Sequence, residues 1–269
     1  MKKGLVCIVY VSTSKTSIIE GLKGSLRSFP AVKLAHHFLD AEYNRSSFFL
    51  VGRGEYASAA ALSLCRSATS ELNYAEHVGT HPTLGSVDHI CFSPLGDESL
   101  ETVGAVARSF AEDLTSSLCI PSYTYGTASP TQRRLSDIRR ELGYFGGTDS
   151  SSGSSRADFG ADMTRDSSKG ISTIGAVPLI VNFNMRFRTQ DARKDVLQVS
   201  KAVRNQAVEA LTLQHGGGAF EVACNLLDIK SYGPKSVLAV AEEVAKSLGL
   251  RIEGHYCTGP QEEELLQYL

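Results

Sequence analysis

Three of the chain's seven histidines fall in one short stretch, "HVGTHPTLGSVDH", running from His77 to His89. Imidazole at this density can bind a metal, move protons near neutral pH, or simply pack. A metal site built on His77 and His81 needs both rings on one helical face. Gly79 lies between them and Pro82 follows, so glycine weakens the helix and proline pushes His81 toward extended geometry. No HExxH or carboxylate set completes a ligand sphere, and no metal is expected. His89 lies inside a following strand and reads as a packed histidine. His81 lies on a loop ahead of that strand, with Asp88 seven residues on. A ring with an unperturbed pKa of about 6.5 can act there as acid or base, and loops on rigid scaffolds are where such groups sit. From the residues alone His81 is either a catalytic base or a loop histidine.

Several further features could meet a ligand. In "VNFNMRFR", Val181, Phe183, Met185 and Phe187 alternate with Asn182, Asn184, Arg186 and Arg188. Alternation across a strand gives one apolar face and one face of amides and guanidiniums. That second face is either solvated or a polar floor for carboxylates, which arginine grips bidentately. The Gly216-Gly217-Gly218 run has no following phosphate-loop helix and reads as a hairpin turn.

The elements that must position these residues follow from periodicity. Gly4–Val11 is an apolar, β-branched run, and "MKKGLVCIVYVSTSK" reads as a first strand rather than a leader, because the apolar run is short and no small-residue cleavage site follows. A helix closing at Pro30 follows, then strands "VKLAHHFLDAEY" and "SSFFLVGR", the Ala-rich helix "EYASAAALSLCRSATSEL" and the strand "SVDHICFSP". That order is β-α-β-β-α-β, a ferredoxin-like unit. Helix "SLETVGAVARSFAEDLTSSL", strand "CIPSYTYG" and helix "TQRRLSDIRREL" come next, then the tract "GGTDSSSGSSRADFG", read as a mobile surface loop. The same order then repeats: strand "AVPLIVNFNMRF", helix "TQDARKDVLQVSKAVRNQ", strands "VEALTLQ" and "AFEVACNLLDI", helix "GPKSVLAVAEEVAKSLG" and strand "LRIEGHYC". The expected fold is therefore α/β (α+β). It has two ferredoxin-like lobes with mixed or antiparallel sheets, helices on the outer faces and a cleft between the sheets, divided as 1–174 and 175–269.

Composition narrows the partners. At 269 residues, 42% hydrophobic and 21% charged with a net charge of −2, the chain carries no global field for nucleic acid or an anionic membrane. No stretch reaches the length of a membrane span. Six dispersed cysteines without a CxxC pair fit reduced thiols, and the cytoplasm is the expected compartment.

At His81-Pro82-Thr83-Leu84-Gly85-Ser86-Val87-Asp88 the sequence resembles the formiminotransferase family, whose motif runs His-Pro-Arg-Met-Gly-(Ala or Ser)-(Leu or Val)-Asp. The resemblance continues in order through Asn44-Arg45 with Gly52, "PSYTYG" (121–126), "ADFG" (157–160), Phe183-Asn184 and "NLLD" (225–228), without a cyclodeaminase part. It implies transfer of a formimino one-carbon group from N-formimino-L-glutamate to N5 of tetrahydrofolate, the co-substrate, in histidine catabolism. His81 would be the general base, with Asp88 beside it. Folate and the small anionic amino-acid donor would meet Asn44, Arg45, Gly79, Gly160, Gly175, Asn184 and Arg186, and the assembly would be a homodimer. The sequence departs from the family at its first loop (Tyr10-Val11-Ser12-Thr13-Ser14-Lys15 for Asn-Phe-Ser-Glu-Gly-Arg), at Ala41-Glu42-Tyr43, at Thr83 for arginine, at Thr127 for glutamate, and by an insertion, "ADMTRDSSKGIST". These departures define a second reading, a catalytically impaired folate or small-anion binding or regulatory protein on the same scaffold. A structural interaction module is the third.

Overall fold

The computed structural model describes residues 2–145, 156–188 and 192–269; residues 146–155, most of the Ser/Gly tract, lie outside the described residues. The chain forms two compact units. One runs to Pro178 and takes back Glu262–Leu269; the other is Leu179–Gln261.

The first unit contains β1 (Lys3–Val11), α1 (Thr16–Ser25), β2 (Lys33–Asp40), β3 (Arg45–Gly52), α2 (Gly54–Glu71), β4 (His89–Gly96), α3 (Leu100–Leu118), β5 (Ser122–Gly126), α4 (Leu135–Glu141) and β6 (Ser172–Ala176). Its sheet has the order β2-β3-β1-β4-β6-β5. The first four strands are antiparallel and have the ferredoxin-like order, whereas β6 runs parallel to both β4 and β5. Side-chain alternation explains the layering. Leu5, Cys7, Val9 and Val11 of β1 and Phe48 and Leu50 of β3 face the helices and form the core with Ala57, Ala61 and Leu64 of α2 and Val103, Phe110 and Leu114 of α3. The small residues of α2 bring its backbone close to the sheet. In α3 the apolar positions recur every three or four residues, and Ser99 caps the helix by accepting from the Thr102 amide at 3.0 Å. The opposite sheet face carries Tyr10, His89 and Tyr125, with Leu84, Ile138, Leu142 and Tyr144 packed beside Tyr123 and Tyr125 in a second cluster.

The second unit contains β7 (Val181–Arg188), α5 (Arg193–Val203), β8 (Val208–His215), β9 (Ala219–Leu226), α6 (Pro234–Ser247) and β10 (Ile252–Cys257), with sheet order β10-β7-β9-β8. This is the same ferredoxin-like order, wholly antiparallel. The apolar face of β7 packs on Val196 and Val199 of α5 and Val237 and Ala241 of α6. The glycine run turns β8 into β9, with Gly217 at φ 67°. After β10 the short α7 (Glu262–Leu265) returns to the first unit, where Lys2 Nζ donates to the Leu266 carbonyl at 2.6 Å.

One strand differs from the sequence expectation. "AVPLIVNFNMRF" is not a single strand: Ala176 ends β6 and Val181 begins β7, because Pro178 has no N–H to offer a ladder. Four of the six cysteines are buried and all are free thiols. No described helix is long and apolar enough to cross a membrane.

Candidate active site around His81

The segment from His77 to Asp88 is an irregular loop pinned at both ends. At the first end Asn44, in a left-handed turn with φ 47°, accepts from the Ser14 amide at 2.8 Å and donates to the Val78 carbonyl at 3.0 Å. Gly79 passes so close to this turn that a Cβ would sit 2.5 Å from the Tyr43 carbonyl, so no side chain fits. At the other end the Ser12 hydroxyl donates to the Gly85 carbonyl at 2.7 Å, and the Ser86 amide donates to the Lys169 carbonyl at 2.8 Å. His81 sits between these pins. The sequence assignments Asn44 and Gly79 thus belong to one structure, the clamp that presents His81.

His81 is half-buried and packs in T-shaped geometry with Tyr43 and Tyr144, 5.2 and 6.3 Å away centroid to centroid. Its Nδ1 lies 2.7 Å from the Pro82 carbonyl. A carbonyl only accepts, so Nδ1 carries the proton and Nε2 keeps its lone pair. Burial, reinforced by the positive charge of Arg45, holds the ring's pKa well below the usual imidazole value. The His81 ring is therefore neutral at pH 7, with its proton on Nδ1.

Asp88 does not pair with His81. Its carboxylate, fully buried, meets the buried Arg45 guanidinium at 2.7 Å. Arg45 in turn lies over the Tyr10 ring at 5.0 Å. Tyr10 stacks on His89 at 4.9 Å and 18°, and His89 Nε2 is 2.8 Å from the Tyr125 hydroxyl. Burial first, and then the charges of Arg139 and Arg45, keep His89 neutral as well. The Tyr125 ring rests on Gly175, where a Cβ would collide with it; Gly175 makes room for this tyrosine. Tyr10, His89, Tyr125 and Arg139 carry no motif that places them beside His81. A tyrosine and a histidine directly opposite each other on the non-core faces of β1 and β4 were the available signal.

The other assigned residues lie elsewhere. Gly160, with φ 74°, sits among Thr115, Pro121 and Met163. Two residues earlier, Asp158 of "ADFG" accepts from the Thr124 amide at 2.6 Å and from Arg133 at 2.8 Å, tying the segment ahead of α4 to β5. Asn184 and Arg186 lie in the second unit. There Glu221 Oε1 accepts from Arg186 Nε at 3.1 Å, Arg186 Nη2 at 3.0 Å and the Tyr256 hydroxyl at 2.9 Å, and Oε2 accepts from Asn184 at 3.2 Å.

The family model described as formiminotransferase domain, N-terminal subdomain, matches residues 4–177. The chain belongs to the formiminotransferase family. It is 32% identical to the "Formiminotransferase cyclodeaminase-like protein" of Arabidopsis thaliana, over 97% of this chain and 94% of that one. It is 29% identical to the glutamate formimidoyltransferase of Streptococcus pyogenes, over 71% of this chain and 64% of the relative. The formimidoyltransferase-cyclodeaminase of Mus musculus is 24% identical over 90% of this chain, which spans 47% of that protein. Within this formiminotransferase-family chain the motif histidine is the clamped, neutral His81, and the motif aspartate is the partner of Arg45.

Proposed function

We propose that the protein is a folate-dependent transferase that moves a formimino group from N-formimino-L-glutamate to N5 of tetrahydrofolate. The observation that carries this is the His81 ring, held neutral with its proton on Nδ1 and Nε2 free. His81 Nε2 takes the N5 proton as the N5–carbon bond forms. The resulting imidazolium returns that proton to the glutamate nitrogen as the carbon–nitrogen bond to glutamate breaks. Tyr43 and Tyr144, both buried, pack in T-shaped geometry with the His81 ring and hold it in place. Asp88 acts at one remove, by neutralising and fixing Arg45. The second unit supplies the family's C-terminal subdomain, with Asn184 and Arg186 on its polar face. The reading also entails a homodimer working in the cytoplasm without nucleic-acid or membrane partners. Light scattering tests the assembly.

Purified protein given tetrahydrofolate and N-formimino-L-glutamate is expected to form 5-formiminotetrahydrofolate, and His81→Ala to lose it. A wild-type protein without turnover would refute transfer. One observation favours the second reading: Thr83, standing for the family arginine, is 3.2 Å from the Tyr74 hydroxyl, so its own hydroxyl is already engaged. A binding protein of this kind retains folinate affinity after His81→Ala and shows no turnover.

A further inference from the structure

Two arginines on and beside α4 are matched with carboxylates, and Arg139 is not. Arg133 meets Asp158 at 2.8 Å, Arg140 meets Asp137 at 2.8 Å, and Arg45, across the site, meets Asp88 at 2.7 Å. Arg139 makes no ion pair among the described residues. Its guanidinium lies over the Tyr144 ring, 4.5 Å from the centroid, and its Nε is buried without a hydrogen-bond partner. A guanidinium carries five donors, and withdrawing them from water without an acceptor is costly. The position is not slack. Ile138 and Leu142, on either side in sequence, are buried with Leu84, Tyr123 and Tyr125.

The charge balance points the same way. Asp88 neutralises Arg45, so the surplus positive charge beside His81 is that of Arg139. Burial keeps His81 and His89 neutral in the first place, and the charges of Arg45 and Arg139 add to it at both rings. The loop itself offers no cation, since Thr83 stands at the position next to Pro82 and faces Tyr74. A half-buried, unmatched guanidinium fixed by stacking is a receptor for a planar anion, and carboxylate is the anion its fork fits.

We infer that Arg139 is the carboxylate receptor of the His81 site, gripping a glutamate-type carboxylate of the ligand. The inference rests on reading the His81 loop as a ligand site. Two ligands carry that chemistry, the amino-acid donor and the glutamyl end of a folate.

Calorimetric titration of the full chain separates them, with N-formimino-L-glutamate, folinate, and the pteroate analogue of folinate that lacks the glutamyl carboxylates. Arg139→Gln is expected to weaken at least one glutamate-bearing ligand roughly tenfold or more. Arg139→Lys, which keeps the charge and loses the fork, should fall in between, and Arg140→Gln on the same helix should bind as wild type. Loss confined to formiminoglutamate assigns the donor. Loss for folinate but not for its pteroate analogue assigns the folate tail. The melting temperature of Arg139→Gln should fall only slightly, by the lost stacking on Tyr144, because no ion pair is lost. Unchanged affinity of Arg139→Gln for both glutamate-bearing ligands, an equal loss for the pteroate analogue, an equal loss in Arg140→Gln, or a wild type that binds neither ligand would overturn the inference. A wild type that binds them without turnover refutes transfer and leaves the Arg139 comparison standing.

Discussion

The two lobes share one strand order, and each sets an arginine of a sheet strand against a carboxylate: Arg45 with Asp88 in the first, Arg186 with Glu221 in the second. They differ in what surrounds the pair. In the second lobe Tyr256 and Asn184 also donate to Glu221, so the polar groups of that face satisfy one another. In the first lobe the pair leaves two neutral histidines and the unmatched Arg139 beside it. These groups are carried or seated by parts the second lobe does not have: the pinned loop 77–88, β5 with Tyr125, α4 with Arg139, and β6 with Gly175. The ferredoxin-like unit supplies the frame, and the loop, strands and helix added to it bring in His81, Tyr125 and Arg139. On the proposed reading, the unmatched polar groups next to His81 mark the lobe that handles a ligand.

That contrast can be broken by mutation. The largest effect is expected at His81: replacing the base by alanine should lower kcat about 100- to 10,000-fold, read as formation of 5-formiminotetrahydrofolate. A comparable loss from His89→Ala with His81 intact would mean the wrong histidine has been chosen. Next comes stability. Asp88→Ala strands a buried guanidinium and should cost about 3–5 kcal/mol by urea unfolding. Glu221→Ala should cost less, because the Arg186 side chain is 39% exposed and water can solvate it. The reverse order would undo the comparison between the pairs.

The pH dependence should be smaller and its sign is fixed. His81 and His89 have folded pKa values below the unfolded value of about 6.5, so between those values the unfolded chain binds more protons. Stability is thus fully present above pH 6.5 and falls on acidification through that window. The acid limb of kcat/KM, set by His81, should lie below pH 6.5. The smallest effect is Tyr125→Phe, which removes the hydrogen bond to His89 and should cost about 1 kcal/mol of stability.

Much of the frame could be read from periodicity, because strands and helices here bury continuous apolar faces. The twofold alternation of "VNFNMRFR" assigns the faces of β7 correctly: Val181, Phe183, Met185 and Phe187 all enter the core. The short β6 escapes such reading. It has five residues, one of them Gly175, and its place between β4 and β5 depends on partners far along the chain. His81 is legible because Gly79 and Pro82 exclude a helix and the motif surrounds it. Arg139 is not, since within "RRLSDIRREL" the arginines look alike; Arg140 meets Asp137 one turn back on the helix, but that Arg133 rather than Arg139 meets Asp158 is decided by the fold. Asp88 illustrates the same limit. Its adjacency to the His81 loop is visible in sequence, but its choice of Arg45 over His81 is made by the pairing of β1, β3 and β4.

The proposed function requires His81 to stand ready as a base with Nε2 unprotonated. A pH titration of the nitrogen-15-labelled imidazoles by long-range proton–nitrogen NMR, with His81→Gln used to assign the ring, tests it directly. A neutral His81 at pH 7 with the proton on Nδ1 and a midpoint below 6.5 is expected. An imidazolium at pH 7, or a neutral ring protonated on Nε2, would contradict it.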